Sequence, residues 1–326
     1  MKNIFYKLFY VSMPLYVMRG ALHLGFRHLR YSGLLGYGSE NRYIGKLIAS
    51  CHSIEKGLTM PDFRPGFGEG AIKGLIFQCN TFIDTYNSTN THLLHSIQVI
   101  LEYQQLHQDL GYELSDELLA SIAALKAKMD LELSSAMQKT ATVDQYFSQS
   151  TSSFPSFVTS RASIRNFDER LVPKEVILQA VELAKSAPSA CNRQSVRVHY
   201  IQNPAIITHV LAIQAGSRGF AHKVKNLLIL TTDIGAYFGP NELTIGWVDG
   251  GMFAMNLCLS LHYLKVATCP LNCSLSVEKQ RSLRKLLPIP ENESFVVMLA
   301  LGYPPSEFKY TASKRYDAKE IFVFHD

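Results

Sequence analysis

The spacing of apolar residues changes character once along this chain, near residue 150, and that change limits what it can fold into. Up to about Gln149 the spacing is helical, with Leu93, Leu94, Ile97, Ile100 and Leu101 fitting one face and Leu118, Leu119, Ile122, Leu125 and Met129 another. Beyond it, short apolar runs alternate with helical patterns. The Ser/Thr/Gln-rich stretch from Ser148 to Ser153, ahead of Phe154-Pro155, reads as the linker. The expected organisation is a front arm and helical extension over residues 1–150, followed by a second domain over residues 151–326.

The second part has an α+β layout. Val172-Pro173-Lys174-Glu175 opens a helix, since proline suits a first turn. A strand is expected at 196–201, a helix at 204–214 and a buried strand in Asn226–Thr231. A long helix over about 242–264, a short extended piece from Val266, a helix near 277–286 and a strand over 295–301 complete it. No G-x-G-x-x-G opens any of the helices, so a Rossmann dinucleotide site is unsupported.

The chain of 326 residues carries a net charge of +5, and its location matters more than its size. Residues 1–50 contribute +6, and the remainder contributes −1. Overall charge therefore does not imply nucleic acid. The basic front is also rich in Ile4, Phe5, Leu8, Val11, Leu15, Leu22 and Phe26, with Pro14 and Arg19 breaking the run. It is too short for a spanning helix and lacks a convincing signal-peptide cleavage site. Residues 1–35 read as a helical arm packed on the body or on a second subunit, as a stretch lying on an anionic membrane surface, peripheral at the inner face of the membrane, or, least favoured, as a secretion segment. The six cysteines show no paired framework and read as reduced cytosolic thiols, which suggests a cytoplasmic protein; Cys269 and Cys273 lack further well-spaced ligands, so no metal is expected.

Arg161, Ser163 and Arg165 alternate, so in an extended segment all three point the same way. Two guanidinium forks and a hydroxyl on one side suit a phosphate dianion, although such arginines are also commonly solvated. Ala187-Pro188-Ser189-Ala190-Cys191-Asn192-Arg193-Gln194 forms a loop suited to the polar edge of a flat heterocycle, or an ordinary helix-terminating turn. Arg193 and Arg197 flank it, either to take an acidic substrate or to face water. Upstream, His52, Glu55, Lys56 and Arg64 crowd around Gly57 and Pro61. They suggest either a substrate pocket or a helix end in which Gly57 is the left-handed terminator. There is no nucleophile–base pair, carboxylate dyad or metal cluster.

Taken in order, R-x-S-x-R-x-F, P-S-x-x-N-x-Q, Lys225–Leu230, Trp247-Val248-Asp249-Gly250-Gly251 and Leu301-Gly302-Tyr303-Pro304 resemble the nitroreductase family over roughly residues 160–326. The resemblance implies an α+β fold with a mixed sheet flanked by helices, and an FMN-dependent oxidoreductase, usually an intertwined homodimer, that takes hydride from NADH or NADPH and reduces a small electrophilic molecule. It implies that Arg161, Ser163 and Arg165 hold the FMN phosphate and ribityl end. Pro188, Ser189 and Asn192 then reach the flavin from the partner subunit, and Pro270, Leu271 and Asn272 lie against the ring. Lys314 or Arg315 adds charge near the phosphate. The sequence departs from the family where Ser195-Val196 follows Gln194 and where Thr268-Cys269-Pro270 replaces a glycine-rich approach to the ring. The helical extension and its H-S-I-E-K-G-L segment are similar to nitroreductase-like proteins found with polysaccharide-assembly enzymes. The alternative is a non-catalytic flavin-binding or scaffold module of a membrane-associated glycan assembly system.

Overall fold

The computed structural model describes residues 2–31, 39–86, 90–129, 138–237, 239 and 241–325. Of the basic front, residues 1 and 32–35 and the side chains of residues 2–12 lie outside the described residues. The helices and strands in chain order are α1 (Lys2–Tyr31), α2 (Glu40–Leu58), α3 (Glu69–Tyr86), α4 (Thr91–Asp109), α5 (Asp116–Met129), β1 (Gln138–Thr142), α6 (Val143–Phe147), α7 (Phe154–Ser160) and α8 (Lys174–Ala184). There follow β2 (Val196–Ile201), α9 (Pro204–Gln214), β3 (Asn226–Asp233), α10 (Ile245–Tyr263), β4 (Ala267–Asn272), α11 (Val277–Leu286), β5 (Glu293–Gly302), β6 (Glu307–Thr311) and α12 (Ala318–Ile321).

These elements form two compact units. One comprises residues 1–27 and 141–308, the other residues 28–140 and 309–326. The division therefore does not follow a single boundary at residue 150. The Ser148–Ser153 stretch is not a linker between the units: it is a turn inside the first, with Ser150 buried and its N–H donating to the Phe147 carbonyl at 3.0 Å. Small polar residues at a helix end make tight turns as readily as linkers, which is why the sequence leaves the two indistinguishable.

In the smaller unit the helical extension folds as expected. Leu47, Ile54 and Leu58 of α2 pack with Ile72, Leu75 and Phe82 of α3, with Leu93, Ile97 and Ile100 of α4, and with Leu118, Ile122 and Leu125 of α5. Helix α4 begins at Asn90, whose side chain accepts from the His92 N–H at 2.8 Å. It is buried on nearly every side, so it also buries His92, His95 and His107. Gly57 does not terminate α2: the helix runs through Leu58. A Cβ at Gly57 would lie 2.0 Å from Phe67 Cε2, so glycine is needed there for close approach of Phe67.

The larger unit is built on a four-stranded sheet in the order β2-β3-β5-β4, with all three strand pairs antiparallel. A parallel element enters as a single bridge between Ser163 and Thr268. Strand β3 is central, and Leu227–Leu230 are fully buried on both its faces. Leu228 and Leu230, with Leu299 and Leu301 of β5, pack on α8 and α10. Helix α10 lies close to the sheet because it carries Gly246 and Gly250 one turn apart. A Cβ at Gly250 would meet Val296 Cγ2 at 2.7 Å. Pro270 is tolerated in β4 because that strand is an edge and needs no N–H there.

Candidate functional site

The segment after α7 is held extended along the sheet by a few contacts. The Ile164 N–H donates to the Thr268 carbonyl at 3.0 Å, and the Asp168 N–H to the Tyr303 carbonyl at 2.8 Å. Tyr146 Oη donates to the Ala162 carbonyl at 2.8 Å. Ile164 and Phe167 are buried anchors, and Arg161, Ser163 and Arg165 occupy alternate positions between and before them. Arg165 is buried, and the Nη1 atoms of both Arg161 and Arg165 are shielded from solvent without a hydrogen-bond partner. A buried guanidinium nitrogen with nothing to donate to is costly, and an anion removes that cost.

His262, near the end of α10, shares this environment. Its Nε2 lies 2.8 Å from Ser160 Oγ, and its Nδ1 is buried without a partner. Burial, and then the charge of Arg161, push its pKa down to about 4. The imidazole is therefore neutral at physiological pH and leaves the positive charge to the arginines.

The loop after α8 is held from the other end of α10. Ala190 N–H donates to both carboxylate oxygens of the buried Asp249, at 3.2 and 3.1 Å, and Tyr237 Oη donates to Asp249 Oδ2 at 2.8 Å. Arg193 is turned inward and does not face water: it donates to Glu242 at 2.6 and 3.1 Å and lies over the Tyr237 ring at 4.5 Å. Arg197 stays half exposed, 3.8 Å from Asp233. Cys191, Asn192 and Gln194 all adopt left-handed backbone, with φ of 52°, 54° and 49°. Such a cluster of non-glycine residues at positive φ persists only where its surroundings over-determine it, and the Asp249 and Glu242 contacts do that here. Beside the loop, a cavity of about 530 Å³ is walled by Val181, Pro188, Gln194, Tyr200, Asp249 and Phe253.

Residues 158–303 match the model of the nitroreductase family. Over that stretch the chain is similar to this family. A protein of Archaeoglobus fulgidus provisionally named NADH dehydrogenase/NAD(P)H nitroreductase is 26% identical over 169 residues, covering 50% of this chain and 93% of that protein. Among solved structures, a nitroreductase-like protein from Streptococcus mutans is 19% identical with a TM-score of 0.47, covering 53% of this chain and 98% of its own. An FMN-dependent nitroreductase from Clostridium difficile R20291 is 18% identical with a TM-score of 0.42, covering 50% and 92%.

Within the matched stretch the expected residues fall into two groups. Arg161, Ser163 and Arg165 run beside the start of β4, where Ser163 bridges Thr268, and Pro270, Leu271 and Asn272 follow on the same strand. Asn272 accepts from Gln214 Nε2 through its carbonyl at 3.0 Å. Pro188, Ser189 and Asn192 sit with Asp249, early in α10, whereas His262 lies thirteen residues later, about 20 Å along the helix axis. The two groups therefore occupy opposite ends of α10 in one chain. Lys314 and Arg315 are exposed and belong to the other unit, as do His52, Glu55, Lys56 and Arg64. There Glu55 is buried and accepts from His95 Nε2 at 2.8 Å and His52 Nδ1 at 3.3 Å. Burial alone would raise its carboxyl, but the two histidines outweigh that and bring it down to about 2.

Asp249, Glu242, Tyr237 and His262 were not read as site residues from the sequence. Asp249 had a signal, a carboxylate in Asp249-Gly250-Gly251 within an otherwise apolar helix. The others become visible only through contacts across tens of residues.

Proposed function

We propose that this protein is an FMN-dependent oxidoreductase that takes electrons from NADH or NADPH and delivers them to a small electrophilic substrate. The observation that carries the reading is the pair of buried, unpartnered guanidinium nitrogens on the Arg161–Arg165 segment, which fit a phosphate monoester. In this reading Arg161, Ser163 and Arg165 hold the FMN phosphate, and Pro270, Leu271 and Asn272 border the ring. The chemistry such a cofactor supplies is hydride transfer from a nicotinamide to a second substrate in the same place. The chain's own part is binding, orientation and electrostatics: fixed cations at the anionic end, a neutral His262 that does not compete for it, and backbone along an edge strand.

The separation along α10 supports a homodimer in which Pro188, Ser189 and Asn192 serve the flavin of the second copy. An apolar face is available for the pairing, since Val248, Met252 and Met255 of α10 and Leu178 and Leu183 of α8 are exposed. The likeness of the His52–Leu58 segment to proteins found with polysaccharide-assembly enzymes favours an electrophile from glycan assembly as the acceptor. An absorbance spectrum of the purified protein, before and after FMN is added, tests the proposal. Flavin bands that bleach with NADH or NADPH without oxygen and return with an acceptor are expected; protein that refuses FMN would defeat it.

A further inference from the structure

Helix α1 carries two opposed faces. Met13, Val17 and Gly20 are half-buried on one side: Gly20 approaches Leu243, and Met13 and Val17 border a cavity shared with Leu243 and Trp247. On the opposite side, Leu15, Met18, Leu22 and Phe26 recur at three- and four-residue spacing and are 67%, 59%, 71% and 59% exposed. In the sequence the same spacing extends back through Val11, Leu8 and Ile4. Large apolar side chains aligned in this way on a monomer surface mark a docking face.

The charges on the helix identify the occupant. Residues 2–31 include five Lys/Arg, together with His23 and His28, and no Asp or Glu. Arg19 and Arg27 are exposed on the side of the helix between its two apolar faces. A second copy would cover the stripe, since the spacing also suits a coiled-coil seam, but it would bring this uncompensated positive charge against itself. An anionic lipid surface meets both features: the stripe enters the boundary between headgroups and acyl chains, while the arginines reach the headgroups. No described helix is long and apolar enough to cross a membrane.

We infer that α1 is an interfacial helix that docks this protein, lying in the membrane plane, on an anionic bilayer surface. The test is flotation of the full chain with vesicles of phosphatidylcholine alone or mixed with phosphatidylglycerol. Binding is expected with the anionic vesicles only, and it should weaken between about 0.1 M and about 1 M salt, where the screening length shrinks from ~10 Å to ~3 Å. Replacing Leu15 and Leu22 with Glu should lower partitioning by roughly tenfold or more for each leucine withdrawn from an apolar environment. Arg19→Gln with Arg27→Gln should weaken binding and flatten its salt dependence, and this pair decides the matter if the leucine variant loses its native circular dichroism. Failure of the unaltered protein to float with anionic vesicles would overturn the inference. So would equal binding to neutral vesicles, or light scattering in which the leucine variant breaks up a dimer while vesicle binding is unchanged.

Discussion

Replacing Arg165 with Met should act in opposite directions on the cofactor-free and the cofactor-bound protein. Without an anion, Arg165 Nη1 is buried and unpartnered. Leaving a buried donor unsatisfied costs roughly 1–3 kcal/mol, and more for a charged group. Methionine keeps most of the side-chain length and removes that donor. The FMN-stripped variant should therefore melt higher than the stripped parent, by on the order of 5 °C for a protein of this size. With FMN the same change removes a charge-assisted contact of roughly 1.5–3 kcal/mol, which corresponds to a ~10- to 150-fold weaker Kd. Thermal unfolding followed by circular dichroism measures the first quantity, and quenching of FMN fluorescence the second. An unchanged Kd together with a lower Tm for the stripped variant would show that Arg165 serves the fold and not an anion.

The folded protein keeps His262 neutral down to about pH 4, against an ordinary value of 6.5, so the unfolded chain binds the extra proton between those values. Stability should be intact above pH 6.5 and fall towards pH 4 by up to about 3 kcal/mol, and His262→Gln should flatten that slope in urea titrations. Gly57→Ala should destabilise by about 1–3 kcal/mol, because Phe67 must move, and Phe67→Leu in the same chain should recover part of the loss. Asp249→Asn removes the charge that accepts from Ala190 and Tyr237, so proteolysis near residues 187–194 should quicken and FMN should dissociate faster in stopped flow.

Local signals carried well from sequence to structure. Helix α9 begins at Pro204 behind Asn203, whose side chain caps it, and β3 shows its burial on both faces as an unbroken apolar run. The Arg161–Arg165 alternation was legible for the same reason, since an extended segment repeats every two residues. What stayed hidden depends on partners far along the chain. Gly57 looked like a helix stop, yet its lack of a side chain answers to Phe67. Arg193 looked available until Glu242, 49 residues later, took it, and Glu55 looked like a pocket carboxylate until His95 closed on it from α4. The left-handed residues of the 191–194 loop carried no glycine to announce them.

The path of the chain between its two units constrains how it is made. It changes unit after Arg27, after Thr140 and after Phe308, each time inside a helix or strand. The smaller unit is thus missing residues 309–326 until residues 141–308 have been made, including Glu320, which accepts from Thr91 Oγ1 at 2.8 Å, and Tyr316, which meets the His92 ring at 4.1 Å. On a ribosome that delivers the amino end first, helices α2 to α5 must wait in an unfinished state while some 170 further residues emerge. A stop codon shortly after Phe308 would leave the sheet whole and the helical unit unclosed.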